Sequence, residues 1–186
     1  MGTVDRRPGR IYFDEAFTGL RERLREEMNA AATSVRLSRL ACEVVTDRDV
    51  AARIEQLGFG GEAARLFDLV PLVEVAWADG RIQRAERATI LEVVRARGFD
   101  LRSEPAQRIA ALLESPPDAA FFDEARAVCA ELLLARGEAS RLTTLALCRK
   151  VAEAAGGIFG FRSATSAAEA GALARIARDL GIDDAT

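Results

Sequence analysis

A chain of 186 residues that is 49% hydrophobic and 6% aromatic has material for one domain with an aliphatic core. Its 26 basic and 29 acidic side chains are interspersed and leave a net charge of -3, so no basic stripe neutralises phosphates and nucleic-acid binding is disfavoured. The absence of histidine excludes Ser-His and Cys-His nucleophile pairs, histidine general bases and histidine metal sites.

Cys42, Cys129 and Cys148 each sit among apolar neighbours, which suits reduced, buried thiols better than a disulfide framework. The first ten residues lack the apolar stretch of a signal peptide, and no apolar run approaches the roughly 20 residues of a membrane helix. The expectation is a cytoplasmic protein without membrane insertion.

Helix-forming Ala, Leu, Arg and Glu recur throughout, so the expected fold is all-α, a compact bundle of about eight or nine helices. After an arm over residues 1–10, a first helix is expected beyond Phe13, with Phe17, Leu20, Leu24 and Met28 inward. A second is expected over Ser34 to Val45, and a short third, capped near Thr46 or Asp47, uses Val50 and Ile54. Gly58-Phe59-Gly60-Gly61 then breaks the chain. No strand precedes it and no Gly-Lys-Ser/Thr follows, so it reads as a turn rather than a phosphate loop. Residues 1–60 are thus an N-terminal arm and helical extension packed on a main domain over 61–186.

Leu66 to Gly98 organises the rest. Leu66, Leu69, Val70, Val73 and Trp77 share one helical face, while Leu72, Val75 and Ala76 make the other side apolar too, the mark of a buried central helix. Pro71 either kinks this segment or opens its helix after a short preceding one. Beyond the turn at Asp79-Gly80, Ile90, Leu91, Val93 and Val94 form an inward stripe, Glu86, Arg87, Glu92 and Arg95 are placed toward water, and Gly98 is a C-terminal stop. Ser103-Glu104-Pro105 starts a helix buried through Ile109, Leu112 and Leu113, and Ser115-Pro116-Pro117-Asp118 ends it and caps the next, which stops at Gly137. A helix from about Glu138 to Ala155 uses Leu142, Leu145, Leu147 and Val151. Past the linker Ile158 to Phe161, Ser166 and Glu169 form a capping-box pattern for a last helix lined by Leu173, Ile176, Ala177 and Leu180. Core positions expected from this reading are Leu66, Leu69, Val73, Trp77, Ile90, Val94, Leu132, Leu145, Leu173 and Ile176.

Laying Glu169 on Glu86 superposes Leu173 on Ile90, Ile176 on Val93, Ala177 on Val94 and Gly181 on Gly98 without a gap, so two weakly related helix-turn-helix halves are expected, although the acidic turn is not duplicated and chance agreement between two amphipathic, glycine-stopped helices is the competing explanation. Asp79 to Glu86 also reproduces the second half of an EF-hand loop. The first half is missing, because Val75 and Trp77 stand where oxygen ligands belong, and a standard EF-hand is rejected. Glu74, Asp79 and Glu86, joined by Glu153 or Glu169 if the halves pack together, remain a carboxylate cluster able to hold a hard divalent cation, calcium or magnesium. The competing account is architectural: Asp79-Gly80 is good turn chemistry, and Glu86 and Glu169 stand where carboxylates cap helices. A third reading, a hydrolase with paired carboxylates, requires two acids facing each other in a cleft with their pKa values split.

Val75-Ala76-Trp77-Ala78-Asp79-Gly80-Arg81-Ile82, followed by Glu86-Arg87, resembles the Ala-Asp-Gly-x-Ile-x-x-x-Glu-Arg signature of TerB-like domains, the tellurite-resistance TerB proteins and the domains attached to some membrane-anchored DnaJ-type co-chaperones. The resemblance implies a bundle of two related halves, a non-enzymatic role in chemical stress through protein partners, and an acidic metal site. Asp79 and Glu86 match the motif directly. Glu74 and Glu169 complete the expected metal set of Asp79, Glu86, Glu74 and Glu169. The expected function is a TerB-like binding module with a protein partner or a second copy of itself. The alternative is a structural or oligomerising protein whose acids only cap helices.

Overall fold

A segment that is apolar on every side can be satisfied only by neighbours on every side, and Val70–Trp77 is placed accordingly. The structure, a computed structural model, describes residues 48–154 and 166–182. The chain divides into two compact units, 1–37 and 38–186, and all the described residues belong to the second. The helices expected beyond Phe13 and over Ser34 to Val45, the caps at Thr46 or Asp47, Cys42 and the linker Ile158 to Phe161 lie outside the described residues.

Among the described residues the fold is all-helical, with seven α-helices: α1 (Arg48–Gln56), α2 (Val70–Trp77), α3 (Arg84–Ala96), α4 (Glu104–Glu114), α5 (Ala119–Arg136), α6 (Glu138–Ala154) and α7 (Ala167–Asp179). A 3₁₀ helix, Gly61–Leu69, leads directly into α2. Pro71 occupies the first turn of α2, so it opens a new helix after a preceding one and kinks nothing. Around α2 pack α5, α6 and α7, with the 3₁₀ helix, α3 and α4 closing the remaining sides. Leu66, Leu69, Leu72, Val73 and Val75 are all fully buried in consequence.

Helix ends follow the chain's glycines. Gly58 lies at φ 83°, its N–H bonds the Glu55 carbonyl, and Phe59 closes the motif by donating to Ile54 and burying its ring against Phe67. A side chain at Gly58 is doubly unwelcome, because its Cβ would stand 2.5 Å from the Arg108 guanidinium that bonds Leu57 O. The same apolar-after-glycine arrangement ends α3 with Phe99 and α7 with Ile182. Asp118 caps α5 by accepting from Phe121 N at 2.7 Å.

Eight of the ten expected core positions are buried, while Trp77 and Leu173 are partly exposed against the core. Trp77 uses its position at the edge of α2 to donate its indole N–H to Leu112 O at 2.8 Å. Leu142 is 48% exposed, a correction to the expected inward face of α6, which buries Thr144, Leu145, Cys148, Val151 and Ala152 instead. Cys129 and Cys148 are free, buried thiols, and burial pushes both pKa values up. No helix among the described residues is long and apolar enough to cross a membrane.

Candidate functional site

The corner between α2 and α3 is built from turn chemistry. Ala78 N bonds Val75 O and Gly80 N bonds Trp77 O, with Gly80 at φ 86°. The Asp79 side chain then folds forward to accept from Arg81 N at 3.1 Å. Gln83, extended at φ -78° and ψ 155°, is the N-cap of α3, and Glu86 reaches back to accept its N–H on Oε2 at 2.7 Å. The N-terminus of α7 repeats this. Ser166 is the extended N-cap, its Oγ accepts from Glu169 N at 3.1 Å, and Glu169 Oε2 accepts from Ser166 N.

The two N3 glutamates meet. Each is at the same step of its capping box, Glu86 is 1% exposed and Glu169 2%, and the Glu169 side chain is near enough to act on Glu86. The charged flank of α3 predicts a water-facing Glu86; the structure buries it, with α6 packed across α3. Glu86 Oε1 is buried with no hydrogen-bond partner. A carboxylate has no donor, so an ionised Glu169 cannot serve as that partner. Burial first, then the Glu169 and Asp79 charges against the opposing bond from Gln83, push the Glu86 pKa up to about 7.

Glu74 takes different partners. It lies on α2 with Oε1 bonded by Arg126 Nη1 at 2.8 Å and approached by Arg175 at 3.7 Å, and burial raises its pKa against the pull of Arg126. Arg126 also bonds Asp123 and Asp179, so Glu74 belongs to an ion-pair network joining α2, α5 and α7. Of the four acids expected as metal ligands, the structure thus brings Glu86 and Glu169 together, leaves Asp79 close enough to act on Glu86 through space, and assigns Glu74 to arginines. Glu153 is exposed on α6.

One oxygen of each glutamate accepts from its cap N–H, and Asp79 accepts from Arg81 N. No group of three or more His, Cys, Asp or Glu side chains placed to hold a metal ion occurs among the described residues.

A second buried acid escaped the sequence reading. Asp68, at the end of the 3₁₀ helix, receives both Nη1 and Nη2 of Arg97, the latter at 2.9 Å, and Arg136 Nη1 lies 3.5 Å away. The signal was present in an aspartate set in an apolar run, which a buried helix tolerates only with a counter-ion. Comparison of the chain with family models, with curated proteins and with solved structures gives no match in any of the three.

Proposed function

We propose that the chain is a non-enzymatic, TerB-like helical binding module of the tellurite-resistance, stress-response kind, acting through a protein partner. The meeting of Glu86 and Glu169 supports this reading, because two capping boxes carrying the same acid at the same step converge where a bundle of two related halves would have its junction. The non-enzymatic part rests on burial. A pair of facing acids with a displaced pKa is what a carboxylate hydrolase needs, but at 1% and 2% exposure these offer a substrate no approach.

The competing account makes the acids helix caps and nothing more. Capping needs one oxygen of each side chain and ordinarily sits at a wet surface; it gives no reason to bury a second oxygen against another acid. The test is survival of a deletion strain of the source organism on tellurite, complemented with the wild-type chain or with the folded E86Q/E169Q double variant. Resistance restored by the wild type but not by the variant is the expected result. A deletion strain as resistant as its parent overturns the stress-response reading.

A further inference from the structure

We propose that residues 38–47, the stretch that leads into α1, lie over Leu134 and Leu142 and cover the apolar patch beside the turn from α5 to α6. The inference goes beyond the binding-module reading and holds whichever partner the module takes. Leu134, in the last turn of α5, is 54% exposed, and Leu142, near the start of α6, is 48% exposed; they are the two large apolar side chains left open among the described residues. They stand three residues before and five residues after the Gly137 turn. Ala135 is exposed next to Leu134, and Ala139, Leu142 and Ala146, three and four residues apart, share an exposed side of α6. A lone exposed leucine needs no explanation, but two of them with three open alanines around one turn make a patch that a further apolar segment would fit.

The point where the chain enters α1 selects the occupant. Residues 38–47 lie outside the described residues but belong to the same compact unit as the bundle, and they end at Arg48, where α1 begins. α1 packs on α5, and its Arg53 donates to Glu124 and to Glu131 at 2.7 Å each. Glu124, Glu131 and Leu134 recur at steps of seven and three, so they share one face of α5. Leu134 therefore stands one turn, about 5 Å, past a carboxylate that α1 already holds. Ten residues span about 15 Å even when coiled as the helix expected over Ser34 to Val45, so the chain entering α1 has the reach. Its sequence also fits, because Leu40, Ala41 and Val44 fall on one face of that expected helix. A second copy of the chain fits less well. A stable dimer buries about 1,200–2,000 Å², far more than two leucines and three alanines offer. A segment tethered within a few residues of the patch meets it at a high effective concentration and needs no such area.

Methyl NMR on the full chain, with leucine and valine methyls ¹³C-labelled and the signals of Leu40, Val44, Leu134 and Leu142 assigned by substituting each with isoleucine, tests the cover directly. Cross-peaks from Leu134 or Leu142 to Leu40 or Val44 are expected, and a sample mixing labelled with unlabelled chains, filtered for contacts between chains, should show none. Urea unfolding supplies the second readout. Leu134→Gln and Leu142→Gln keep a good helix former on a helix surface, so both variants are expected to fold. Each should raise the unfolding constant by about fivefold or more, because a covered leucine loses burial. Leu40→Gln combined with Leu134→Gln should raise it by clearly less than the product of the two single effects, since either change alone opens the same contact. Four results overturn the proposal. Unfolding constants for Leu134→Gln and Leu142→Gln within about twofold of the wild type would mean that the patch is bare. Effects of Leu40→Gln and Leu134→Gln that multiply in full would place the two leucines apart. Cross-peaks found only between chains would make a second copy the cover, and cross-peaks from the patch only to residues before Ser38 would make it an earlier part of the chain.

Discussion

Asp68 and Glu86 are both acids in the interior, 4% and 1% exposed, and they are kept there by opposite means. Asp68 is gripped by the Arg97 fork with Arg136 behind it, so its negative charge is matched where it lies. Glu86 faces a second acid and has a third nearby, so its charge is opposed and a proton must stand in for the missing cation. The first arrangement is a permanent rivet between the 3₁₀ helix, the end of α3 and the end of α5. The second is conditional on pH. Equal burial therefore says little about what a buried acid does; the sign of its neighbours decides.

The rivet predicts the largest effect. Asp68→Ala leaves two guanidiniums, 9% and 5% exposed, without their carboxylate, and should destabilise the domain by about 3–5 kcal/mol in urea unfolding at neutral pH. A loss under about 1 kcal/mol would show that the cluster is not the rivet described, and that Arg97 and Arg136 are satisfied without it.

The conditional acid predicts a smaller effect that depends on pH. The unfolded chain surrenders the Glu86 proton near 4.5 and the folded chain near 7, so between those values the fold binds the proton that the unfolded chain has lost. Stability from this group is fully present below 4.5 and is lost as pH climbs through 7, a total of about 3 kcal/mol. Glu86→Gln should match the wild type near pH 5 in order of magnitude and exceed it at pH 8, because glutamine can donate to Glu169 at any pH. Chemical denaturation at the two pH values checks the sign. A variant less stable than the wild type at both would mean that Glu86 is carried as a favourable anion.

The contrast also explains what could be read from the sequence. Periodicity is a property of neighbours along the chain, so it gave the helices from α1 to α7, the central place of Val70–Trp77 and the stops at Gly98, Gly137 and Gly181. Capping boxes are equally local, and Ser166 with Glu169 was legible from four residues. Which side of a cap is dry is not local. Glu86 looks like a water-facing residue because its own helix gives it a charged flank, and α6, which packs across α3, lies many residues later. The same holds for Glu74, whose partners Arg126 and Arg175 are 52 residues and farther along the chain. For Leu142, a leucine on the helix period proved to lie on the wet flank of α6, because α2, α3, α5 and α7 engage its other side.

Caps should be weaker than either buried acid. Asp118→Ala removes the bond to Phe121 N at the start of α5 and should cost about 1 kcal/mol. Ser166→Ala should cost a similar amount at the start of α7, but with a difference that bears on the comparison. It loosens the turn that aims Glu169 at Glu86, so it should also draw the Glu86 pKa down toward its ordinary value. Carboxyl NMR on this variant separates a cap that merely ends a helix from one that positions an acid.

Asp79 is expected to give the smallest change, and it tells the most about the corner. Its carboxylate does two things of opposite sign: it closes the turn by accepting from Arg81 N, which favours the fold, and it pushes against the Glu86 anion, which opposes it above neutrality. Asp79→Asn keeps an oxygen for the turn and removes the charge, so it isolates the second effect. The change in stability should stay within about 0.5 kcal/mol, as for most exposed substitutions. The Glu86 pKa should nonetheless move down, by less than in Glu169→Gln, because burial and Glu169 act on it more strongly than Asp79 does. If Asp79→Asn left Glu86 unmoved while Glu169→Gln shifted it, the turn acid would be electrically outside the corner. If instead the Asp79→Asn shift were the larger, the charge that acts most on Glu86 would be that of the turn.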